Sequence, residues 1–458
     1  MGFLEKVYNK SPIFFQNIMV SMAGYSFNKS RYGKTYHEHR AFLKDYDTWD
    51  IEKKLEHQNS ELAKFVKLAA TNSAFYKELY KGIDIDSIKC ADDLKRLPIV
   101  DKEMLRKNID KAVTIPKKGA VLGQTGGTTG KSLVVFITAN DMMKKMATLD
   151  HFKKRVGFEH RKMRRATFNG KHIVPPNQKK KVFWRYNAAC KQMIYSSFNL
   201  SEENMKYYVD SFNRYKPDAI DGFFMSMCDV ASYIERHNLK LDFIPVAIFP
   251  TSETLTASGR ELLERVFRCK VYDQYASSEG APFITECSSQ VLHIEPASGV
   301  FEHFEDDSDE ILVTSFTSHG TPLIRYRIGD EMIMEDGTIT TCKCGEKAMV
   351  VKQIKGRRLD FAYTAERAKI NSGVISNLFK KVPNAVVRAQ LIQNELGMME
   401  ILIETDKEHY KTEYDDIIRT DFVHTFGDTT KFTITHVDEI PREKSGKFRL
   451  VRNNVDAK

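Results

Sequence analysis

Nine consecutive positions, Thr125 to Leu133, read TGGTTGKSL and hold three glycines, three threonines, a lysine and a serine. Glycines let a backbone come close to a ligand, hydroxyls and amide N–H groups donate to oxyanions, and lysine adds a mobile positive charge. That chemistry suits a polyphosphate. A Walker A loop would need a glycine five residues before Gly130, where Thr125 stands, and would open a helix. Here the apolar run Val134, Val135, Phe136, Ile137 follows instead. The expectation is a phosphate-holding hairpin loop between strands, with a plain glycine turn as the alternative.

Further segments carry groups that a nucleotide needs. Tyr275 to Glu279 (YASSE) follows a predicted buried strand and sets an aromatic ring, two hydroxyls and a carboxylate at a strand end, where α/β sheets bind ligands. The ring can stack on a purine, and a carboxylate beside phosphates holds magnesium. In Arg325 to Asp330 (RYRIGD), Asp330 can accept two ribose hydroxyls, or the stretch is an ordinary turn. GRRLD, 356 to 360, sits where the composition changes, and PREKSGKFR, 441 to 449, is a basic loop with Lys447 at its tip. Cys287, His293, Cys342 and Cys344 form two pairs of zinc-ligand type, the second beside Gly345 in a predicted turn. Four such ligands satisfy a closed tetrahedral site; cysteine as a small buried apolar residue is the alternative.

The pattern of elements around these segments is that of an α/β protein. From Asp50 to about Asn108 it is mainly helical, with Leu55, Leu62, Phe65, Val66, Leu68 and Ala69 at helical spacing and Asp101 as a later N-cap. A helix is predicted over 140–156, capped by Asn140 or Asp141, then an irregular stretch over 163–198. The Ser201 to Tyr215 segment reads as a helix with Ser201 as N-cap. Strands near 219–224, 246–249 and 270–272 alternate with helices over 225–236 and 257–267, which writes a sheet covered by helices. A β-rich stretch follows, with strands over 310–316, 323–326 and 332–334 and a turn at Asp336-Gly337. Beyond Gly356 a helix near 372–379, strands near 386–393 and 398–404, a helix over 409–422 and a strand over 431–436 make a compact α+β unit.

A chain of 458 residues is long enough for a large cored domain and a smaller one. The formal charge is +9, but basic residues are interleaved with 61 acidic ones, which disfavours nucleic-acid binding. A basic surface also suits an anionic substrate. Seven cysteines in so long a chain do not write a disulfide scaffold, so a reducing cytoplasm is expected. The apolar segment Ser11 to Phe27 has the look of a signal peptide, yet Gln16 and Asn17 interrupt it. It is too short and polar to span a bilayer. An amphipathic helix lying on the body is expected, with peripheral contact at a membrane surface as the alternative.

In order along the chain, these segments resemble the adenylate-forming superfamily of acyl-CoA synthetases, adenylation domains and luciferases. Within it the likeness is to the phenylacetate-CoA ligase family and its CapK-like capsular-polysaccharide branch, through NSAFY (72–76), LPIVDK (97–102), PLIRYRIGD (322–330) and IPREKSGK (440–447). The resemblance implies a large N-terminal domain, residues 1–356, of helix-covered sheets with a small β-rich subdomain, and a small mobile α+β C-terminal domain, residues 357–458. It implies that Thr125, Thr128, Thr129, Gly130 and Lys131 hold the ATP phosphates and that Ser252 and Glu253 line the adenine pocket. Tyr275 would stack on adenine, Ser278 would bond the α-phosphate and Glu279 would hold Mg2+. Asp330 would bind the ribose, Arg357 would lie near ribose and hinge, and Lys447 would bridge the incoming carboxylate and the α-phosphate. Gly126, Ser132 and Ala276 depart from the family's usual serine, proline and glycine.

The acid is expected beside Phe168 to Tyr186 and the strands before Tyr275. His172, Trp184 and Arg185 carry groups fit for a polar or amino-acid-like acid; Phe223 and Phe224 also suit a pocket, and each of these suits a core as well. The implied activity is ATP-dependent formation of an acyl-adenylate with release of pyrophosphate. Acyl transfer to CoA, or to an amine or hydroxyl such as that of a sugar in surface polysaccharide assembly, would follow. An adenylyltransferase that leaves AMP on its acceptor and a non-catalytic nucleotide-binding relative stay as alternatives; homodimerisation is left open.

Overall fold

A computed structural model describes residues 3–124, 133–175, 178–304, 309–357, 361–365, 369–379, 381–382, 385–443 and 448–455. The chain forms two compact units. One gathers residues 1–22, 161–271 and 355–458, the other residues 23–160 and 272–354.

The first unit is built on a six-stranded sheet. Its order is Trp184–Asn187, Gln192–Ser196, Arg165–Asn169, Ala219–Phe223, Ala247–Thr251 and Lys270–Val271, all parallel except the first pair. Parallel neighbours need crossovers, and the helices Glu202–Tyr215, Phe224–Arg236 and Ala257–Phe267 serve that purpose. Their inner residues, among them Tyr208, Phe212, Met227, Leu263 and Phe267, pack with Phe168, Ile220 and Ile248 of the sheet. Gly222 is required here: its φ is +118°, and a Cβ would lie 1.8 Å from the Phe168 carbonyl oxygen on the neighbouring strand.

The same unit includes a four-stranded sheet ordered Lys431–Val437, Met398–Thr405, Val386–Glu395, Val451–Asn453. Helix Glu413–Phe426 lays Ile418, Phe422 and Phe426 against Leu391, Ile401 and Ile403. In the second unit an eight-stranded sheet runs from Gln274–Tyr275 through Ile284–Glu286, Leu292–Ile294, Lys347–Arg357, Tyr326–Thr341 and Glu310–Ser315 to Gly299–His303, with Val100–Asp101 paired to Tyr326–Thr341. Helix Ile51–Asn72 supplies Leu62, Phe65, Val66 and Ala69 to its core. Val121–Gln124 and Val134–Ile137 form an antiparallel pair, so the glycine-rich segment joins two strands as the sequence predicts.

Several local expectations are corrected. The stretch expected to be irregular, 163–198, holds three strands; they are short, and the central one, Arg165–Asn169, is buried without an alternating pattern. Strand Tyr326–Thr341 passes straight through Asp336-Gly337, and the turn comes later, around Gly345 at φ +95°. Residues 323–325 precede that strand rather than forming one. Thr138, not Asn140 or Asp141, caps helix Ala139–Arg155: its side chain accepts from the Asp141 N–H. The helix expected over 409–422 runs Glu413–Phe426.

Candidate active site

In the second unit, Tyr275 ends a two-residue strand and its ring is buried against Phe301, edge to face at 6.0 Å between centroids. Its hydroxyl donates to Asp330 Oδ2 at 2.6 Å. Asp330 follows Gly329, whose φ of +81° bends the backbone at that point. Two residues 55 positions apart thus meet as a ring beside a carboxylate. Between them in chemistry lies the turn 276–280, where Ser277 Oγ accepts from the N–H groups of Gly280 (3.1 Å) and Ala281 (2.9 Å). That turn buries Glu279 and leaves Ser278 exposed.

The base of the glycine-rich hairpin abuts this turn. A Cβ on Gly123 would lie 2.7 Å from the Ser278 carbonyl oxygen, so only glycine lets the two backbones come so close. Burial, followed by the negative charges of Glu279, Asp330 and Asp101, pushes the Tyr326 phenol well above its ordinary value. Those carboxylates therefore act on a common neighbour.

Sequence reasoning missed Lys145. It lies on helix Ala139–Arg155 directly after the hairpin, buried, and a Cβ on Gly280 would lie 2.3 Å from its Nζ. Burial pushes it down to about 8, with Asp141 and Glu279 opposing the fall. Asp141 in turn accepts from the His319 backbone N–H at 3.0 Å and pairs with His319 Nδ1 at 2.7 Å. A run of polar side chains, His319, Asp141, Lys145 and Glu279, so ends at the turn that carries Ser278. A lysine one helical turn after an aspartate is a common surface pair, and nothing in its spacing announces burial.

In the first unit, Ser252 directly follows strand Ala247–Thr251, at φ +69°. Glu253 accepts from the Met225 N–H at 2.8 Å, at the N-terminus of helix Phe224–Arg236, and from the Phe448 N–H at 3.0 Å. A carboxylate at a helix N-terminus is well placed electrostatically. It also ties the chain just after Lys447 to the end of the strand. Phe223 and Phe224 are core residues beside it.

Of the residues expected to meet the acid, His172 is exposed and stacks on Phe198 at 4.0 Å. Trp184 packs on Tyr195 and Tyr208 at the margin of the core. Arg185 departs from that expectation. It is 0% exposed, and its guanidinium donates to Gln16 Oε1 (2.6 Å), Gln178 Oε1 (2.5 Å) and the carbonyls of Val182 and Trp184. A buried guanidinium has to be satisfied, and here the fold itself does so. Thr125, Thr128, Thr129, Gly130, Lys131 and Lys447 lie outside the described residues, as does the side chain of Arg357, which ends strand Lys347–Arg357.

The four metal-ligand candidates come together. One ligand atom from each of Cys287, His293, Cys342 and Cys344 lies within 4.8 Å of all the others. Cys287 Sγ and Cys342 Sγ are 3.7 Å apart, close to the separation of about 3.8 Å that two thiolates about 2.3 Å from a tetrahedral zinc would have. His293 Nε2 is buried and has no hydrogen-bond partner among the described residues. Burial raises the Cys287 thiol and lifts Cys344 to about 12. A dication is what reverses such a shift, because it holds the thiolate. The donor set and the orphaned nitrogen both fit a structural zinc ion.

A second cluster joins the C-terminal four-stranded sheet to helix Phe224–Arg236. Asp229 accepts from Arg388 Nη2 at 2.9 Å and pairs with Arg442; Arg388 Nη1 also reaches Glu404 at 3.3 Å, and Arg236 Nε lies 3.0 Å from Asp406.

Residues 362–454 match the CapK C-terminal domain family. Over 455 residues the chain is 37% identical to Protein CapK of Staphylococcus aureus, covering 99% of this chain and 100% of that protein. Among solved structures, it is similar to 2-hydroxyisobutyryl-CoA ligase in the postadenylation state in complex with R3-HIB-AMP, with a TM-score of 0.71 at 15% identity, covering 90% of this chain and 91% of that one. It is also similar to that ligase in complex with 2-HIB-AMP and CoA in the thioesterification state, with a TM-score of 0.57 at 16% identity and the same coverage. The fold is that of the adenylate-forming CoA ligases.

Proposed function

The chain belongs to the CapK family, and from that premise we propose that it is an ATP-dependent ligase that activates a carboxylic acid as its acyl-adenylate. The acyl group then passes to CoA, or to an amine or hydroxyl such as that of a sugar in surface polysaccharide assembly. The observation that best supports the reading is the meeting, within one unit, of three sequence-distant segments. Tyr275 bonds Asp330, and the base of the Thr125–Ser132 hairpin abuts Ser278.

In this reading the carboxylate oxygen of the acid attacks the α-phosphorus, the bond to the bridging oxygen breaks and pyrophosphate leaves. The approach of an anion to a triphosphate is repulsive, so the chain must supply positive charge and fixed donors. The hairpin's Lys131, its threonine hydroxyls and its amide groups serve the β- and γ-phosphates, and Lys447 serves the incoming carboxylate and the α-phosphate. Asp330 accepts from the ribose hydroxyls, and the Tyr275 ring stacks on adenine beside it. Ser252 and Glu253 border the base, Arg357 stands near the ribose, and Ser278 donates to the α-phosphate. Glu279 is the carboxylate fit to hold Mg2+, which when bound neutralises phosphate charge. Residues 357–458 act as the mobile small domain, and Cys287, His293, Cys342 and Cys344 hold a structural zinc.

The test is acid-dependent ATP–pyrophosphate exchange over a panel of carboxylic, amino and sugar acids. At least one acid should support exchange, and Lys447→Ala should slow it by orders of magnitude while ATP still binds. ATP binding with no exchange for any acid, together with AMP found by mass spectrometry on a stable acceptor, would replace the ligase with an adenylyltransferase.

A further inference from the structure

A helix on a protein's surface ordinarily turns its apolar side inward. Helix Ile13–Arg31 instead keeps large apolar side chains turned outward. Polar side chains anchor its inward side: Gln16 is 2% exposed and accepts from Arg185 Nε at 2.6 Å, while Asn17 Oδ1 accepts from the Tyr186 N–H at 3.0 Å. Ser21 Oγ donates to the Tyr186 carbonyl at 3.3 Å and accepts from the Ala188 N–H at 3.0 Å. Trp184–Asn187 is the edge strand of the six-stranded sheet, so Asn17 and Ser21 satisfy backbone groups that an edge leaves unpaired. The helix is thus fastened to the body by hydrogen bonds, on a side that Gln16 shares with the half-buried Ile13 and Val20.

Its outward side is apolar. Phe14 is 69% exposed, Phe15 55%, Ile18 39% and Met22 66%, and the preceding helix Phe3–Lys10 adds Leu4 at 73% and Val7 at 40%. Positions 14, 18 and 22 repeat every fourth residue and so share one face. Single exposed apolar side chains are normal; a run of six on two successive helices is a surface made to be covered.

The charge around it says by what. Lys6 and Lys10 lie on the first helix, and Lys29 and Arg31 in the last turn of the second. Glu5 is the only acidic side chain in the first 37 residues, against five basic ones. A second copy of this chain pairing about a two-fold axis would bring two such basic segments together, each with Glu5 as its one acid. No described helix is long and apolar enough to cross a membrane. We infer that helices Phe3–Lys10 and Ile13–Arg31 seat the protein on an anionic membrane surface, lying in its plane with Phe14, Phe15, Ile18 and Met22 in the acyl boundary and the lysines at the headgroups.

Flotation of the full chain with vesicles tests this directly. Vesicles of phosphatidylcholine mixed with phosphatidylglycerol should carry the protein upward, and phosphatidylcholine alone should carry it far less. Phe14→Ser combined with Phe15→Ser and Met22→Ser should weaken binding by roughly tenfold or more, since each removes exposed apolar surface, with an unchanged melting temperature. Lys6→Glu with Lys10→Glu should weaken it too, and added salt should mimic that loss. Binding to neither vesicle overturns the inference, as does equal binding by the serine variant. A wild-type dimer that the serine variant dissociates, with no vesicle binding, would assign the face to a second copy instead.

Discussion

Removing the carboxylate of Asp229 should loosen the C-terminal four-stranded sheet from helix Phe224–Arg236. Asp229 is buried and answers two buried guanidiniums, those of Arg388 and Arg442. Arg388 keeps Glu404 at 3.3 Å and the Leu200 carbonyl at 2.6 Å, whereas Arg442 loses its bond to Asp229. Burial works to lower the Arg388 pKa, but Asp229 and Glu404 together hold it above its ordinary value, so the charge persists. Breaking a buried pair by deleting one partner costs about 3–5 kcal/mol. Arg388 loses one of its two carboxylates and Arg442 its bond to Asp229, yet undocking lets both reach water, so the loss is capped by the free energy of docking. Asp229→Ala should therefore give a separate, earlier melting transition and faster limited proteolysis, while the CapK C-terminal segment itself stays folded on its own core of Leu391, Ile401 and Phe422. Replacing the whole cluster, Asp229→Leu with Arg388→Met, Glu404→Gln and Arg442→Met, should recover most of the loss, because apolar or neutral residues of similar volume often substitute for a buried ion cluster at little cost. An Asp229→Ala protein that melts as one transition within about 1 kcal/mol of the parent would refute the reasoning, since the arginines would then have been hydrated all along.

Lys145→Met removes the buried ammonium beside Gly280 and Glu279; acid-dependent pyrophosphate exchange should fall roughly tenfold or more, with partial rescue by Lys145→Arg, since a charge at that turn strengthens electrostatic preorganisation. Metal analysis of purified protein should find about one zinc per chain, and chelation or Cys342→Ser should lower the melting temperature, because the ligands converge only in the folded state. His39 is pushed from 6.5 down to about 4 by burial first and then by Lys144, His151 and His57. Its folded pKa is thus depressed, so its contribution is present above about pH 6.5 and drains away as pH falls toward 4; the loss by pH 5 is of the order of 2 kcal/mol. His39→Gln should flatten that part of the pH dependence in denaturant melts at pH 7 and pH 5.

How far the sequence speaks depends on how local the cause is. Helices Glu202–Tyr215 and Ala257–Phe267 and strand Ala219–Phe223 were legible because period, cap and turn residues act within a few positions. The hairpin around the glycine-rich segment was legible for the same reason, as β-branched residues follow it directly. Strands Trp184–Asn187 and Gln192–Ser196 were not: they pair with each other, and the second pairs with Arg165–Asn169, so their place in the sheet is set by partners beyond their own short runs. Lys145 was invisible as a buried charge because Gly280, which closes over it, lies 135 positions away.

Arg185 and helix Ile13–Arg31 show the same limit twice, and from opposite sides. The sequence supplies an arginine amid aromatic residues, which suits an acid-binding pocket, and an apolar helix, which suits a body to lie upon. Each reading treats the residue by its own nature. The structure couples them across 169 positions: Gln16 needs a buried donor and Arg185 needs a buried acceptor, and each satisfies the other at 2.6 Å. Once that bond and those of Asn17 and Ser21 to the edge strand exist, the helix has only one way to face, with Phe14, Ile18 and Met22 outward. Periodicity says that a helix has two faces, but which of them is inside is decided by where its polar groups find partners.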